Sequence, residues 1–257
     1  MSGLNRDLFS RDSASYARFR PRYPAALFEW LATLPTAHRV AWDCATGSGQ
    51  AASQLGPHFS SVIGTDASRE QLREAPAAPN LSLCVCLAES ASLATGSVDL
   101  VTVAQAFHWL DRTAFLAEVE RVAVPGGNAA LAVWGYGRLF ANRDIEQVVR
   151  HFQDQTVGPY WPPERRQVDE RYRGISLPIA EVAAPKFAIE ARLTIEELVG
   201  YIGTWSAVTR YRADRGRDPL PILIHELGAA WGKDATEPHT ITWPLFIRAG
   251  RITGSVG

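Results

Sequence analysis

Two glycines separated by one residue stand where a predicted strand gives way to a predicted helix, in the stretch Asp43-Cys44-Ala45-Thr46-Gly47-Ser48-Gly49-Gln50. Glycine lets the backbone turn tightly and lets a ligand come close, and the helix behind the turn offers free N–H groups. A strand, a glycine turn and a helix in this order predict a cofactor site. A tight turn that binds nothing is the simpler alternative.

Two kinds of cofactor fit this turn. Gly47, Gly49 and Ala52 satisfy the dinucleotide pattern G-x-G-x-x-G/A, and Asp66 ends the next predicted strand, where a ribose hydroxyl would bind. Asp43, however, would hold a carboxylate beside the anionic pyrophosphate of a dinucleotide, which is unfavourable. A cofactor that carries an ammonium and a sulfonium, such as S-adenosylmethionine, would be attracted by that charge.

Other candidate residues lie further along the chain. His108 and Trp109 follow the predicted strand 98–104; the histidine could be a general base, a hydrogen-bond donor or a structural residue, and the tryptophan a wall of the pocket. Arg165 and Arg166 follow two aromatic residues and could clamp a substrate carboxylate. They could equally be surface arginines that pair with the nearby acids Glu164, Asp169 and Glu170.

The elements that would position these residues follow from hydrophobic periodicity and from the positions of glycine, proline and helix-capping residues. Strands are predicted at 40–43, 61–66, 81–86, 98–104 and 128–134, with helices at 24–34, 50–55 and 69–75 and a further helix capped by Asp111. Strands that alternate with helices predict a parallel sheet with its ligand at the carboxyl ends of the strands. Later segments predict helices at 142–153 and 221–231, a helix opened by a capping box of Thr194 and Glu197, strands at 186–193 and 239–248, and an irregular stretch at 160–178.

Composition excludes several classes of protein. The 257 residues carry 26 Lys and Arg against 27 Asp and Glu, which argues against a nucleic-acid partner. No apolar run reaches the roughly 20 residues that span a bilayer, and the arginine-rich first segment lacks the apolar core of a secretory signal. The three cysteines do not form a disulfide framework, which favours a cytoplasmic location, and Cys84 and Cys86 lack further ligands at metal-binding spacing, so we expect no metal.

The motif series resembles the class I S-adenosylmethionine-dependent methyltransferases. Asp43 with Gly47-Ser48-Gly49 looks like their first motif, and Asp66 looks like their ribose-binding acid. Further blocks resemble the type 11 methyltransferases of the trans-aconitate methyltransferase branch, in order along the chain: Tyr16-Ala17-Arg18-Phe19-Arg20-Pro21-Arg22-Tyr23-Pro24, Ala88-Glu89, Gln105-Ala106-Phe107-His108-Trp109, Tyr160-Trp161-Pro162-Pro163-Glu164-Arg165-Arg166 and Thr204-Trp205-Ser206.

The resemblance implies an α/β fold, a Rossmann-like seven-stranded, mostly parallel sheet with helices on both faces and a reversed final hairpin. It implies one domain over 1–257: a cap at 1–35 over the cofactor, a cofactor-binding core at 36–135, substrate-side insertions at 136–185 and 204–236, and the last two strands at 186–193 and 239–248. The oligomeric state is left open, with a monomer favoured.

The resemblance also implies the cofactor, S-adenosylmethionine, and the residues that bind it: Tyr16, Arg20, Asp43, Ala45, Gly47, Gly49, Asp66, Ala67, Ala88, Glu89, Gln105 and Ala106. The acceptor would be a small molecule, with a carboxylic acid as the candidate, and it would contact His108, Trp109, Tyr160, Trp161, Arg165 and Arg166. Two positions depart from the family pattern. Leu87 replaces an acid, and Ala45 replaces a glycine, which should be tolerated if its φ is negative. A nicotinamide-dependent oxidoreductase and a non-catalytic cofactor-binding protein are the alternatives.

Overall fold

Five parallel strands form the first part of a mixed sheet. A computed structural model describes residues 19–253 apart from 233 and 235. The strands lie in the order β3-β2-β1-β4-β5, with bounds that differ from prediction by at most two residues: β1 (Val40–Cys44), β2 (Ser61–Asp66), β3 (Leu81–Val85), β4 (Leu100–Ala104) and β5 (Ala130–Tyr136). Because the strand order reverses between β1 and β4, a crevice opens at their carboxyl ends, where ligands bind in open α/β sheets.

The predicted helices of the first half are present. They are α1 (Ala25–Ala32), α2 (Gln50–Leu55), α3 (Arg69–Arg73) and α4 (Arg112–Val122). The side chain of Asp111 accepts a hydrogen bond from the N–H of Ala114 at 3.1 Å, which confirms it as the cap of α4. Pro24 stands just before α1 and not within its first turn.

The second half is more helical than predicted. Its helices are α5 (Arg143–His151), which continues as a π-helical turn, α6 (Arg165–Asp169), α7 (Ile195–Gly203), α8 (Ser206–Arg215) and α9 (Leu220–Ala230). Thr194 and Glu197 form the predicted capping box at the start of α7. The prediction of irregular backbone throughout 160–178 is wrong because it contains α6, and α8 was not predicted.

In the described chain, three further strands complete the sheet, and they pair antiparallel with their neighbours. Strands β6 (Ile179–Val182) and β7 (Ala188–Leu193) both run antiparallel to the long β8 (His239–Ile252), and β8 runs antiparallel to β5. Among the described residues the expected seven strands are therefore eight, because the outermost strand is broken in two. Pro185 lies in the break and Pro244 lies in β8 at the start of the β7 pairing, and neither can donate to a ladder.

Two apolar clusters cover the faces of the sheet. One contains Trp42 with Phe115 and other residues of α4. The other joins Phe28 of α1 to Trp134 of β5 and Trp243 of β8, and it extends into α7, α8 and α9. The fold class is thus the expected Rossmann-like α/β arrangement, and the carboxyl-terminal helices pack on the same core as the amino-terminal one.

Candidate active site

The turn after β1 has the geometry of a ligand cradle. Gly47 and Gly49 have φ of 57° and 73°, in the left-handed region that glycine adopts without strain. A Cβ on Gly49 would lie 2.8 Å from the Cβ of Ala75, so the turn leaves no room for a side chain there. Ala45 also has a positive φ, of 53°, so the condition on which its tolerance was predicted is not met.

Asp43 lies behind the turn, in the interior. Its side chain is 1% exposed, and it accepts hydrogen bonds from the hydroxyls of Thr46 at 2.5 Å and Thr102 at 2.7 Å. Burial raises the pKa of Asp43 to about 6, and the two hydroxyls lower it in part. In this position the carboxylate ties the turn to β4.

Asp66 joins the turn to the end of β2. Its carboxylate accepts hydrogen bonds from the backbone N–H of Gly47 at 2.9 Å and of Ser68 at 2.8 Å, with Ala67 between. After β3, Ala88 is buried, and Glu89 accepts a hydrogen bond from the N–H of Asp111 at 3.0 Å. The two acids thus lie at the same edge of the sheet as the glycine turn, at the ends of neighbouring strands.

The charge at this edge suits a cationic cofactor. The pKa of the buried Cys44 thiol is raised first by burial and then by the negative charges of Asp43, Asp66 and Glu89. Three carboxylates close enough to act on one thiol make an unfavourable setting for a pyrophosphate and a favourable one for an ammonium and a sulfonium. The residues present therefore fit S-adenosylmethionine better than a dinucleotide.

Gln105 and Ala106 form the turn that leaves β4. Gln105 has a φ of 56°, and its amide nitrogen donates to the carbonyl of Tyr136 at 3.0 Å. The carbonyl of Ala106 accepts from the N–H of Trp109 at 2.9 Å, which starts a short 3-10 helix at Phe107–Trp109. A non-glycine residue held at positive φ is a feature that clusters at functional sites.

His108 sits in that 3-10 helix and is partly buried. Its Nδ1 lies 3.0 Å from the hydroxyl oxygen of Tyr172, a residue that sequence reasoning missed. Burial, with a smaller contribution from the positive charge of Arg165, lowers the pKa of His108 to about 3. The imidazole is therefore neutral at physiological pH.

A cavity opens in front of His108. Its lining includes the predicted residues Arg20, Gln105, His108, Trp109, Trp161 and Arg165. It also includes residues that were not singled out as site residues, among them Tyr136, Gln153, Tyr201, Trp205 and Ser206. Trp205 stood in a motif of the resemblance, whereas nothing in the local pattern marked Tyr136 or Tyr201.

Two arginines enter this cavity from different parts of the chain. Arg20 donates through Nη1 to the hydroxyl of Tyr136 at 3.1 Å and lies 5.4 Å from the ring centre of Tyr201. The guanidinium of Arg165 lies 4.6 Å from the ring centre of Trp161, and its Nε is 3.3 Å from a carboxylate oxygen of Asp169. Aromatic rings thus orient both cations.

Two predicted substrate residues lie outside the cavity lining. The side chain of Arg166 is 83% exposed and pairs with Glu170 at 2.6 Å, as the surface alternative predicted. Tyr160 donates its hydroxyl to Asp214 at 2.9 Å and accepts from Arg215 at 2.6 Å, so it ties its loop to α8. Tyr16 lies outside the described residues.

The described part of the chain offers neither a metal site nor a membrane-spanning helix. No group of three or more His, Cys, Asp or Glu residues within that part of the chain could hold a metal ion. No helix there combines the length and the apolar character that crossing a membrane requires.

Comparisons with known proteins identify relatives along most of the chain. Residues 42–131 match the model of a family described as "Methyltransferase domain". A putative methyltransferase of Dictyostelium discoideum is 32% identical over 229 residues, which cover 88% of this chain and 86% of the relative. An uncharacterized methyltransferase of Mycobacterium tuberculosis is 38% identical over 170 residues, which cover 63% of this chain and 69% of that protein.

A solved structure extends the similarity to the whole fold. It is described as a putative type II methyltransferase from Anaeromyxobacter dehalogenans and is 42% identical to this chain. The match has a TM-score of 0.83 and covers 91% of this chain and 98% of the other.

Proposed function

Because the chain belongs to the methyltransferases that share this domain and use S-adenosylmethionine as the methyl donor, we propose that it methylates a small acceptor that carries a carboxylate. The observation that carries this proposal is the charge of the cavity. Among the described residues that line it, Arg20 and Arg165 are permanently cationic and none is an aspartate or glutamate, and Asp169, which pairs with Nε of Arg165 at 3.3 Å, lies outside the lining. Resemblance to the trans-aconitate methyltransferase branch agrees with such an acceptor.

The donor is held at the acidic edge of the sheet in this proposal. Asp66 binds the ribose hydroxyls, Ala88 and Glu89 meet the adenine, and the turn from Asp43 to Gly49, including Ala45 and Gly47, surrounds the methionine part. Ala67, Gln105, Ala106 and Arg20 complete this surface. The acidic environment of Cys44 and the absence of room beside Gly49 support the assignment.

The chain's residues have little covalent chemistry to perform. S-adenosylmethionine, when bound, supplies a methyl group that the positive charge on its sulfur already activates. A carboxylate is ionised at neutral pH and needs no general base. Arg165 holds the acceptor by charge-assisted hydrogen bonds, while Trp109, Trp161 and Trp205 exclude water.

A methylation assay tests the acceptor class. Purified protein would receive S-adenosylmethionine and a panel of di- and tricarboxylic acids, each beside its amide and methyl ester, with product detected by mass spectrometry. We expect methyl esters from acids and no turnover of the fully amidated analogues. Turnover confined to amines or phenols would overturn the carboxylate assignment. If S-adenosylmethionine and S-adenosylhomocysteine both failed to bind in isothermal titration, the methyltransferase function itself would be lost.

Arg165→Met offers a matched test of the clamp. Methionine keeps much of the apolar stem against Trp161 and removes the charge, so KM for the acid should rise roughly 10- to 100-fold, as expected for loss of a hydrogen bond to a charged group. Affinity for S-adenosylmethionine should not change. Arg166→Met is the control, because Arg166 lies outside the cavity, and it should behave like the wild type. Equal effects of the two substitutions would contradict the clamp.

A further inference from the structure

A tyrosine that lies 64 residues away from His108 in the chain stands directly behind it. The hydroxyl of Tyr172 is 3.0 Å from Nδ1 of His108, and the two rings stack with centroids 6.2 Å apart and planes inclined by 29°. Tyr172 is 1% exposed. Its hydroxyl therefore faces the histidine from the protein interior.

The protein holds Tyr172 there at a cost in backbone strain. Arg171 and Tyr172 have φ of 55° and 56°, two successive non-glycine residues in the left-handed region. The carbonyl of Tyr172 accepts a hydrogen bond from Nη1 of Arg248 at 2.8 Å, and the rings of Phe107 and Phe246 meet its ring edge-to-face at 5.3 and 5.2 Å. Strain that the surroundings hold in place in this way is typical of functional positions.

The direction of the hydrogen bond follows from what the buried hydroxyl needs. Within the described part of the chain, the Tyr172 hydroxyl has two hydrogen-bond partners, both in His108: the ring Nδ1 at 3.0 Å and the backbone N–H, and of these two only Nδ1 can accept a hydrogen bond. If Nδ1–H donated to the oxygen, the hydroxyl proton would be left buried without an acceptor, which proteins avoid. The hydroxyl therefore donates to Nδ1, and the proton of the neutral imidazole resides on Nε2.

We propose that Tyr172 is a positioning residue that fixes His108 as the Nε2–H tautomer, so that His108 donates a hydrogen bond to the acceptor and does not remove a proton from it. The acceptor part of this inference rests on the proposed carboxylate substrate, and the tautomer part does not. His108 lines the cavity while its Nδ1 is engaged behind it, which leaves Nε2 as the ring nitrogen for the ligand.

The electrostatics around the ring agree with a neutral donor. Burial lowers the pKa of His108, the positive charge of Arg165 in α6 lowers it further, and burial raises the pKa of the Tyr172 hydroxyl that faces the ring. The imidazole and the hydroxyl are therefore both uncharged through the neutral pH range. Methyl transfer to a carboxylate should accordingly show no ionisation of a histidine base between pH 6 and pH 9, a window chosen around the ordinary histidine pKa of about 6.5.

Nitrogen-15 NMR of histidine-labelled protein tests the tautomer without any acceptor. We expect the signal set that disappears in His108→Gln, and therefore belongs to His108, to show an unprotonated Nδ1 and a protonated Nε2. Tyr172→Phe, which keeps the ring and removes the hydroxyl, should shift this set towards a tautomer mixture. A protonated Nδ1, or a doubly protonated ring, in the wild type would overturn the inference.

Kinetics of three variants test the donor role. His108→Gln can place an amide N–H near the former Nε2 position and cannot act as a base, so it should be at least about tenfold more active than His108→Ala, the factor expected for one hydrogen bond to a charged group. Tyr172→Phe should lower kcat/KM about tenfold with unchanged affinity for S-adenosylmethionine. Equal inactivity of the Gln and Ala variants would indicate a base and contradict the inference.

The two proposals fail in different ways. Wild-type protein that methylates no acid refutes the acceptor class, whereas the NMR result still decides the tautomer. Wild-type activity on acids with a protonated Nδ1 refutes only the role of Tyr172. If Tyr172→Phe does not fold, the wild-type NMR spectrum and the comparison of His108→Gln with His108→Ala decide the inference.

Discussion

Ala45 is strained within the turn that the cofactor site requires. Its φ of 53° costs a residue with a Cβ about 1 kcal/mol or more, and glycine would adopt it freely. The strain is local, because the turn is anchored on one side by buried Cys44 and on the other by the bond between Thr46 and Asp43. Ala45 therefore marks a point where stability can be gained.

Ala45→Gly should stabilise the protein. We expect the free energy of unfolding to rise by roughly 0.5–1 kcal/mol, because relief of the strained φ exceeds the added chain entropy of glycine. Chemical denaturation followed by circular dichroism would measure it. Ala117→Gly is the control, since Ala117 is exposed within α4 and has no positive φ, and it should lose about 1 kcal/mol. A loss of stability in both variants would contradict strain at Ala45.

Residues of the site differ in how far sequence could predict them. Gly47, Gly49 and Asp66 could be placed because each stands at the end of a strand or start of a helix, and parallel strands bring those ends together. Tyr136 and Tyr201 could not, because an aromatic residue in a strand or helix is ordinarily core, and Tyr172 could not, because it lies in a turn that carries no motif. Only the tertiary fold shows that Tyr172 reaches His108.

At the scale of elements, the turn between β1 and α2 is defined by close packing against the end of α3. The side chain that glycine lacks at position 49 would meet Ala75 just after that helix. Asp66 holds the same turn from β2 through the N–H of Gly47. The cradle is thus built by three neighbouring elements. A substitution at the contact between Gly49 and Ala75 should therefore lower the affinity for the cofactor.

Gly49→Ala should impair both stability and cofactor binding. The positive φ alone costs about 1 kcal/mol, and the 2.8 Å contact with the Cβ of Ala75 must displace either the turn or α3. We expect affinity for S-adenosylhomocysteine in isothermal titration to fall at least about tenfold, which corresponds to about 1.4 kcal/mol.

Gly216→Ala separates the effect of a strained φ on stability from the effect of the Gly49 position on cofactor binding. Gly216 ends α8 at a φ of 63°, and nothing lies within 4 Å of the Cβ it would carry. The substitution should cost similar backbone strain and leave cofactor affinity unchanged. Equal cofactor affinity in the two variants would show that the turn does not contact the cofactor.

Elements with short-range signals were predictable and those that depend on pairing were not. The caps Asp111 and Thr194 define helix starts through bonds to residues three positions away, and both helices begin where predicted. The division of the outer strand into β6 and β7 depends on where β8 lies, which no local pattern reports. Strand β6 is four residues long and was missed for the same reason.

At the scale of the whole molecule, the chain closes its sheet with its last described strand. β8 lies between β5 and β6 and pairs residue by residue with both, and the apolar cluster on one face takes residues from α1 through α9 to β8. We propose that residues 1–257 therefore form one cooperative domain, with 36–135 as a core that is not stable alone. Coincident unfolding transitions by tryptophan fluorescence and circular dichroism would be expected of such a unit.

Gly250→Ala tests that cooperativity at the point where β8 meets β6. A Cβ there would overlap the carbonyl oxygen of Ala180, a backbone atom that cannot move aside without breaking the pairing. We expect a loss of roughly 2–3 kcal/mol and a fall in Tm of roughly 5–10 °C, with one transition retained by both probes. Gly228→Ala, in the exposed interior of α9 with open space around its Cβ, should gain about 1 kcal/mol. Two separate transitions in Gly250→Ala, one that keeps the wild-type Tm, would show instead that the parallel core folds independently of the strands that close the sheet.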